Sequence, residues 1–454
     1  GEWATTTISI GKKNDIEIIK EINFPHSIGL LYSAFTYYLG FKVNSGEYKV
    51  MGLGPYGEPK YKDIILDKLI HLKSDGSFRL NMEYFNYTTG LTMTNSKFER
   101  IFGEKRRKSE GKLTQFHMDI ACSIQEVIEE IIIKITHNLS AEFNIKNLCL
   151  AGGVALNCVA NSKIVRKNIF DNVWIQPAAG DAGGALGAAL LLWYKQLNNT
   201  RLCNKFDKMK GSFLGPKYSN DYIRNELNEV GAKYQEVDDD ELIFITTEEL
   251  KNNSAIGWFQ GRMEFGPRAL GARSILGDPR SEKMQKNLNL KVKYRESFRP
   301  FAPSILAKDK KDWFDIDSDS PYMLIVAKVK NEKIIKMTDQ EQNLFGIDKL
   351  NVKRSEIPAV THVDYSARIQ TVHEDTNPYY YKLISKFREK TGCPILINTS
   401  FNIRGEPIVN TAKDAFRCFM GTELDTLVIG NCFLKKKDQD PSLKIDYKDT
   451  FELD

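Results

Sequence analysis

The sequence lacks the cysteine and histidine patterns of a disulfide-bonded or zinc-binding protein. Its seven cysteines are odd in number and scattered, and no two of them lie in Cys-x-x-Cys spacing. This usage argues against a disulfide framework and against a cysteine zinc site. The six histidines include no closely spaced helical pair, so a self-contained histidine metal site is not expected either. The pattern predicts a protein of a reducing, cytoplasmic compartment.

Long apolar runs and a strong charge excess are also missing. No run of about 18 apolar residues is present, and no basic segment followed by an apolar one opens the chain, so we expect neither a membrane span nor a signal peptide. The net charge of +5 reflects 64 basic and 59 acidic residues, which does not indicate a nucleic-acid partner. Any basic site must be local. The charge runs at 104–108 and 435–437 are interpreted as solvated loops.

The chain opens with Gly1 rather than methionine, and "GEWATTTISIG" alternates like a strand from the start. A turn at 12–15 leads into "IEIIKEINF", which predicts a hairpin. Because no lead-in precedes it, we expect the chain to begin inside a domain. The length of 454 residues suits two domains. Loss of periodicity over 197–212 predicts the domains 1–200 and 213–454.

Both halves alternate strand and helix patterns. In the first half, strand, glycine turn and helix follow one another twice, in "NLCLAGGVALNCVANSKIVRK" and "VWIQPAAGDAGGALGAALLLWYKQL". The second half has strand patterns at 256–260, 302–308, 323–329 and 359–372, with an arginine-rich loop after the first. This alternation predicts an α/β fold with parallel or mixed sheets. A long helix is also predicted from about 115 to 143.

The two glycine turns are candidate ligand sites, because glycine lets backbone N–H groups approach a phosphate at a helix N-terminus. No Gly-Lys-Ser or Gly-Lys-Thr follows, so neither turn is a P-loop. A glycine turn between strand and helix is also a common plain connection. Asp181 lies in the second turn, where an acid either caps the next helix or binds a metal or a ribose hydroxyl. Asn157 is placed to cap the helix that follows the first turn. The candidate residues are Gly152, Gly153, Val154, Asn157, Gly180 and Gly183.

Basic residues concentrate in the second half at positions where the backbone must turn. The stretch "GRMEFGPRALGARSILGDPR" carries Arg262, Arg268, Arg273 and Arg280. Further basic or polar groups occur in "KVKYRESFRPFAPS", "THVDYSARIQTV" and "NTSFNIRGEPIV". Such groups at strand ends build clefts for anions, and arginine suits bidentate phosphate recognition. The alternative is surface arginine paired with the acids Glu264, Glu296 and Glu406.

Several long blocks of the sequence together resemble the NodU/CmcH carbamoyltransferases. The blocks are "PHSIGLLYSAFTYYLGF", "KVMGLGPYG", "AGGVALN", "PAAGDAGGALGAA", "EFGPRALGARSIL", "VKYRESFRPFAPSIL", "PAVTHVDYSARIQTV" and "NTSFNIRGEPIV". The resemblance implies an actin/sugar-kinase-like (ASKHA) domain followed by a YrdC-like domain. It also implies an ATP-dependent O-carbamoyltransferase, which forms carbamoyladenylate from carbamoyl phosphate and ATP and then carbamoylates a hydroxyl of a small metabolite, such as a sugar or a natural product.

The same resemblance implies roles for individual residues. Carbamoyl phosphate and the ATP phosphates would be held by Arg268, Lys293, Arg299, Arg368, Asn398 and Ser400. Asp181 would be a metal ligand, typically for Fe²⁺, and the "GGVALN" turn would line the carbamoyladenylate pocket. Family members carry about a hundred or more residues before this chain's start, enough to complete the first domain. That segment has a histidine pair and an acid that complete the metal site, so we expect it to be a missing partner of this chain.

Two alternatives remain open from the sequence. The first alternative is that the chain is a nucleotide-binding module that acts only with a partner segment. The second is that it is an enzyme of the tRNA threonylcarbamoyl type. The weak net charge counts against RNA. The identity of the acceptor substrate depends on the shape of its pocket, which no motif encodes. A homodimer is the expected oligomeric state, because dimers are the commonest oligomers.

Overall fold

The computed structural model describes residues 3–202, 207–294, 298, 300–445 and 451. The chain forms two compact units that divide between residues 206 and 207. Among the described residues, no helix is both long enough and apolar enough to cross a membrane.

The first unit begins with the predicted hairpin, in which β1 (Ala4–Lys12) and β2 (Asp15–Asn23) pair antiparallel. The hairpin is followed by α1 (Ile28–Tyr38), whose N-terminus is capped by the Ser27 side chain. The later elements of the unit are α2 (Glu47–Leu53), α3 (Lys62–Ile64), β3 (Ile70–Leu72), β4 (Phe78–Leu80), α4 (Ser96–Phe102), α5 (Gln115–Phe143), β5 (Asn147–Leu150), α6 (Cys158–Arg166), β6 (Asn172–Ile175) and α7 (Ala182–Leu191).

The long helix α5 is the centre of this unit's core and has the bounds that the periodicity predicted. Apolar residues on one face of the helix, including Ile120, Ile124 and Ile128, are buried. A capping box begins this helix. The Thr114 side chain bonds to the backbone of His117, and Nδ1 of the His117 ring accepts from the backbone N–H of Thr114 and lies within hydrogen-bond distance of the Thr114 hydroxyl. Burial, aided by the charge of Arg107, lowers the pKa of His117 to about 4.

The two glycine turns lie at the ends of a parallel pair, as the repeated strand–turn–helix pattern predicted. β5 and β6 pair from Asn147 with Asn172 to Leu150 with Ile175. The helix α7 that follows the second turn buries none of its residues within the described part of the unit. Apolar side chains in and after it are about half exposed, namely Leu190, Leu191, Leu192 and Trp193.

The second unit is built on one mixed sheet, which confirms the α/β expectation. Within its described residues the sheet has nine strands in the order β11-β12-β10-β13-β9-β8-β14-β15-β7. The pairs β10–β12 and β8–β14 are parallel, and the other neighbouring pairs are antiparallel. Its elements are α8 (Asn220–Glu229), β7 (Gln235–Glu236), α9 (Asp239–Lys251), β8 (Ile256–Phe259), β9 (Arg273–Gly277), α10 (Met284–Asn287), β10 (Ala302–Leu306), α11 (Lys310–Trp313), β11 (Ile325–Lys328), α12 (Asp339–Gln342), β12 (Ser366–Val372), α13 (Pro378–Thr391), β13 (Ile395–Ser400), α14 (Ala412–Gly421), β14 (Thr426–Ile429) and β15 (Cys432–Lys435).

The strand boundaries predicted near the basic segments were partly wrong. The stretch interpreted as an arginine-rich loop contains the central strand β9, because "RSILG" is buried between neighbouring strands. The strand predicted at 359–372 starts only at Ser366, after a short 3-10 helix at Pro358–Val360 and a turn in which Tyr365 has φ of 62°.

The interpretation of both charge runs as solvated loops was also partly wrong. Arg107 is buried and donates to the carbonyl oxygens of Leu39 and Gly111. Lys436 donates to the carbonyl oxygens of Phe419 and Thr422 at the end of α14, and burial lowers its pKa to about 8. Single basic residues inside each run therefore satisfy backbone carbonyls, which the charge pattern does not reveal.

Candidate functional site

The two glycine turns of the first unit are joined directly. The backbone N–H of Gly152, which has φ of +94°, donates to the carbonyl oxygen of Ala179 at 2.7 Å. A short 3-10 helix, Gly153–Leu156, follows and contains Val154. Asn157 then caps α6, as predicted, by accepting the N–H of Ala160 at 3.1 Å. The candidate residues of both turns therefore belong to one connected surface.

Asn157 is held by a residue that the sequence analysis did not identify. The side-chain amides of Asn157 and Gln125 bond reciprocally, with both N–O distances at 3.1 Å. Gln125 also accepts from the Tyr32 hydroxyl at 2.9 Å and donates to Glu129 at 2.8 Å, while Glu129 pairs with Lys163. These polar residues interrupt the apolar face of α5 at i and i+4. That spacing was the available signal.

Gly180 and Gly183 differ in what their positions require. A side chain at Gly183 would place its Cβ 2.3 Å from the carbonyl oxygen of Ala178, so the turn demands glycine there. At Gly152, Gly153 and Gly180, the space that a Cβ would occupy holds no atom of the described residues within 4 Å. The first requirement is structural, and the open positions leave backbone accessible to a ligand.

Asp181 does not cap the helix that follows it. It occupies the N-cap position of α7, but its carboxylate makes no capping hydrogen bond, and it is exposed. Across the described ranges, no group of three His, Cys, Asp or Glu side chains is arranged to hold a metal ion. One exposed carboxylate is too small a donor set for iron, so the described residues do not by themselves fit the expected metal.

In the second unit, Arg262, Arg273 and Arg280 of the stretch 261–280 contact backbone carbonyls, an aromatic ring or a carboxylate. Arg273 is fully buried over the Phe259 ring at 3.5 Å, and its guanidinium bonds to backbone carbonyls, including that of Ala272 at 3.0 Å. Burial lowers its pKa to about 10. Arg280 pairs with Asp278 at 2.6 Å, and Arg262 donates to the Gly215 carbonyl at 3.0 Å. The fourth, Arg268, is half-buried and is the arginine of this stretch that the family resemblance implies as a phosphate ligand.

The segment after Arg268 is fixed by hydrogen bonds from two sides. On one side, Glu264 accepts the N–H groups of Leu270 at 2.6 Å and Ala272 at 2.8 Å. On the other side, side chains of three sheet strands donate to three consecutive carbonyl oxygens. These bonds are Asn398 to Ala269 at 3.1 Å, Gln370 to Leu270 at 2.8 Å and Trp258 to Gly271 at 2.9 Å. We call residues 268–272 the arginine loop.

Asn398 contacts this loop through the N–H groups of its side-chain amide. Its Nδ2 also contacts Ser304 Oγ at 3.0 Å and Gln370 Oε1 at 2.8 Å. Its buried Oδ1 has no hydrogen-bond partner among the described residues. The unpaired atom of this amide is therefore an acceptor and not the donor that a phosphate needs.

Lys293 contacts the C-terminal end of β13, the strand that contains Asn398. Its buried ammonium donates to the hydroxyl of Ser400 at 3.2 Å and to the Oδ1 of Asn402 at 2.6 Å. The carbonyl oxygens of Ser400 and Asn402 lie at 2.8 and 2.7 Å from the same nitrogen. Four acceptors thus surround one ammonium and fix the turn that leaves β13.

Strand β13 brings the arginine loop and Lys293 to one face of the sheet. Asn398 contacts the loop, Ser400 contacts Lys293, and residues two apart on a strand point to the same face. Arg368 has this relation to Gln370 on β12, which also contacts the loop. Of the six candidate residues, five therefore lie on or beside one polar face, and Arg299 lies outside the described residues.

Comparison with known proteins identifies the family. Residues 1–190 match the family model Carbamoyltransferase N-terminus, and residues 247–436 match Carbamoyltransferase C-terminus. The chain is 58% identical over its whole length to an uncharacterized protein of Synechocystis, of which it covers 74%. It is 36% identical over 96% of its length to nodulation protein NolO of Bradyrhizobium diazoefficiens, again covering 74% of that protein.

A relative that is named for its enzymatic activity is more distant. The 3'-hydroxymethylcephem-O-carbamoyltransferase of Streptomyces clavuligerus is 30% identical over 64% of this chain, which corresponds to 49% of that enzyme. With both family models matched in order along the chain, the protein belongs to the NodU/CmcH carbamoyltransferase family of enzymes.

Proposed function

We propose that the protein is an ATP-dependent O-carbamoyltransferase that forms carbamoyladenylate in its second unit and carbamoylates a hydroxyl of a small metabolite. The observation that carries this proposal is the polar face on which β13 joins the arginine loop to Lys293. Carbamoyl phosphate and ATP are both polyanions, so a rigid cationic site is what their reaction requires. The cephem O-carbamoyltransferase among the relatives supports a small hydroxyl-bearing acceptor.

The first step balances with one water molecule. Water cleaves carbamoyl phosphate to phosphate and carbamate, and a carbamate oxygen attacks the α-phosphorus of ATP as pyrophosphate leaves. In this scheme Arg268 and Arg368 bind phosphate oxygens. Lys293 adds its positive charge to the site, while its N–H groups bond to protein oxygens and orient the Ser400 hydroxyl. The Oδ1 of Asn398 is suited to accept from the carbamoyl NH₂ group, since its own donors are used within the protein.

The second step is assigned to the glycine turns of the first unit. We propose that carbamoyladenylate lies against Gly152, Gly153 and Gly180, where no side chain blocks the backbone. The acceptor hydroxyl then attacks the carbamoyl carbon, and AMP leaves. A bound metal would polarise the carbamoyl oxygen, but the described residues offer only Asp181, and no step is assigned to it.

We further infer that the first unit is actin-like and the second YrdC-like, and that another segment of the polypeptide covers α7. Exposed apolar side chains, with Leu192 at 55% and Trp193 at 52%, support such a cover.

The proposal is tested by pyrophosphate release from ATP in the presence and absence of carbamoyl phosphate. We expect carbamoyl-phosphate-dependent release by the wild-type chain and a loss of about 100-fold in kcat/KM in Arg268→Ala, since one charged clamp contact is removed. Arg262→Ala is the matched control, because Arg262 lies in the same stretch but is exposed and donates only to a carbonyl. A folded wild-type chain without release, or equal effects of both variants, would contradict the proposal.

A further inference from the structure

A buried carboxylate under the arginine loop has contacts that differ from those of a surface ion pair, which was the alternative that the sequence offered for it. Glu264 is 5% exposed, and its Oε1 accepts the N–H groups of Leu270, Ala272 and Arg273 at 2.6, 2.8 and 3.3 Å. Its Oε2 has no hydrogen-bond partner among the described residues. The carboxylate is therefore used as an anchor for backbone, and the sequence-based alternative of a surface ion pair was wrong for this residue.

The anchor acts on the segment that directly follows Arg268. Glu264 holds N–H groups at 270, 272 and 273, while sheet side chains hold the carbonyl oxygens at 269, 270 and 271. Few conformations satisfy both sets of bonds together. Removing the sheet-side bonds would also disturb the sheet, whereas the two shorter bonds of Glu264 go to the loop and the third, longer one goes to Arg273, the first residue of β9.

We propose that Glu264 is a positioning residue for Arg268, which it holds where the phosphate groups of the substrates bind. This inference rests on the proposed function of the second unit. Preorganised charge stabilises a phosphoryl-transfer transition state because it needs no rearrangement during the reaction. A displacement of about 1 Å in such a group costs about 100-fold in rate.

The hydrogen bonds of Glu264 predict different effects for three substitutions at this position. Glutamine keeps one oxygen at the position of Oε1, so Glu264→Gln retains an acceptor for all three N–H groups. Aspartate keeps the charge but is one methylene shorter, so Glu264→Asp withdraws the acceptor from the loop. Alanine removes it. If position is what matters, glutamine is tolerated, aspartate is impaired, and alanine is impaired most.

The matched control is Glu226, another buried glutamate of the same unit. Its Oε2 accepts the N–H groups of Ala412 at 3.0 Å and Lys413 at 3.2 Å at the start of α14. Glu226→Ala thus removes a comparable backbone anchor away from the arginine loop. It reports what the loss of a structural carboxylate does to stability and to kinetics.

The experiment measures KM for carbamoyl phosphate, KM for ATP, kcat and melting temperature with the pyrophosphate-release assay. We expect Glu264→Ala and Glu264→Asp to lower kcat/KM for carbamoyl phosphate by about tenfold or more, and Glu264→Gln to stay within about twofold of wild type. Glu226→Ala should lower the melting temperature without changing either KM. If Glu264→Ala changes only the melting temperature, or if glutamine is as impaired as alanine, the positioning role is overturned.

Failure of the proposed function gives a different result. A wild-type chain that releases no pyrophosphate contradicts the carbamoyladenylate proposal before any variant is compared. Binding of inorganic pyrophosphate by calorimetry then tests Glu264 separately. Binding that is weaker in Glu264→Asp than in wild type and Glu264→Gln supports the inference, and equal binding by all three overturns it.

Discussion

The side-chain amide of Asn398 donates to the carbonyl oxygen of Ala269 at 3.1 Å and so joins a central strand to the arginine loop. Its Nδ2 has two further acceptors, Ser304 Oγ and Gln370 Oε1. Every group facing this nitrogen can accept a hydrogen bond. The arrangement therefore depends on a donor at this position and excludes an oxygen of the same size.

This requirement predicts a large effect of an isosteric change. Asn398→Asp replaces the donor with a carboxylate oxygen that faces two oxygens that can only accept, those of Ala269 and Gln370, so we expect a loss of about 3 kcal/mol in the free energy of unfolding of the second unit. Urea denaturation at neutral pH measures it. Asn228→Asp is the control, because exposed Asn228 accepts from Tyr234 through an oxygen that aspartate retains. Equal stability of both variants would contradict the assigned network.

His117 predicts a pH-dependent stability of the first unit. Its Nδ1 accepts the N–H of Thr114 at 3.1 Å, a bond that needs the neutral ring. The folded pKa of about 4 lies below the unfolded value of about 6.5, so the unfolded chain binds more protons between these pH values. Stability from this group is present above pH 6.5 and is lost as the pH falls towards 4.

The variant His117→Gln separates this effect from other titrations. Glutamine keeps an acceptor at the third position of the capping box but does not titrate. We expect the wild type to lose up to about 3 kcal/mol more than the variant between pH 7 and 4 in urea unfolding. Parallel curves for the two proteins would refute the assigned pKa.

The sequence predicted those elements whose periodicity is local. The bounds of α5 and the hairpin β1–β2 follow from spacing and turn residues, and Asn157 was identified as a cap from its place before α6. The roles of basic residues were harder to predict. Arg268 and Arg273 lie five positions apart in one motif, yet Arg273 is buried on Phe259 and serves the backbone.

That difference arises from tertiary contacts. Arg273 is buried because β9 is a central strand, and this strand is only five residues long, with Ile275 and Leu276 as its large apolar side chains. Gln125 was missed for the same reason, since its partner Asn157 lies 32 residues away. The sequence pattern did not distinguish Arg268, which stays a candidate ligand residue, from Arg273, which bonds to the backbone.

Gly271 gives a last test of how tightly the arginine loop is seated. It has φ of +103°, and a Cβ there would lie 2.3 Å from the ring of Tyr380. Gly271→Ala therefore combines backbone strain with a clash against a fully buried ring, and we expect a loss of about 3 kcal/mol or more in the free energy of unfolding.

Gly261 is the matched control for that variant. It has φ of +60° in the same stretch, but no atom lies within 4 Å of a Cβ built there. Gly261→Ala should therefore cost only the backbone term, about 1 kcal/mol. Urea unfolding measures both variants, and pyrophosphate release reports whether the loop is displaced. Since Tyr380 belongs to α13, which packs on β10 and β13, it has little freedom to move away. Equal losses for the two alanine variants would mean that the loop moves away from Tyr380 at little cost, and that Arg268 is not rigidly held.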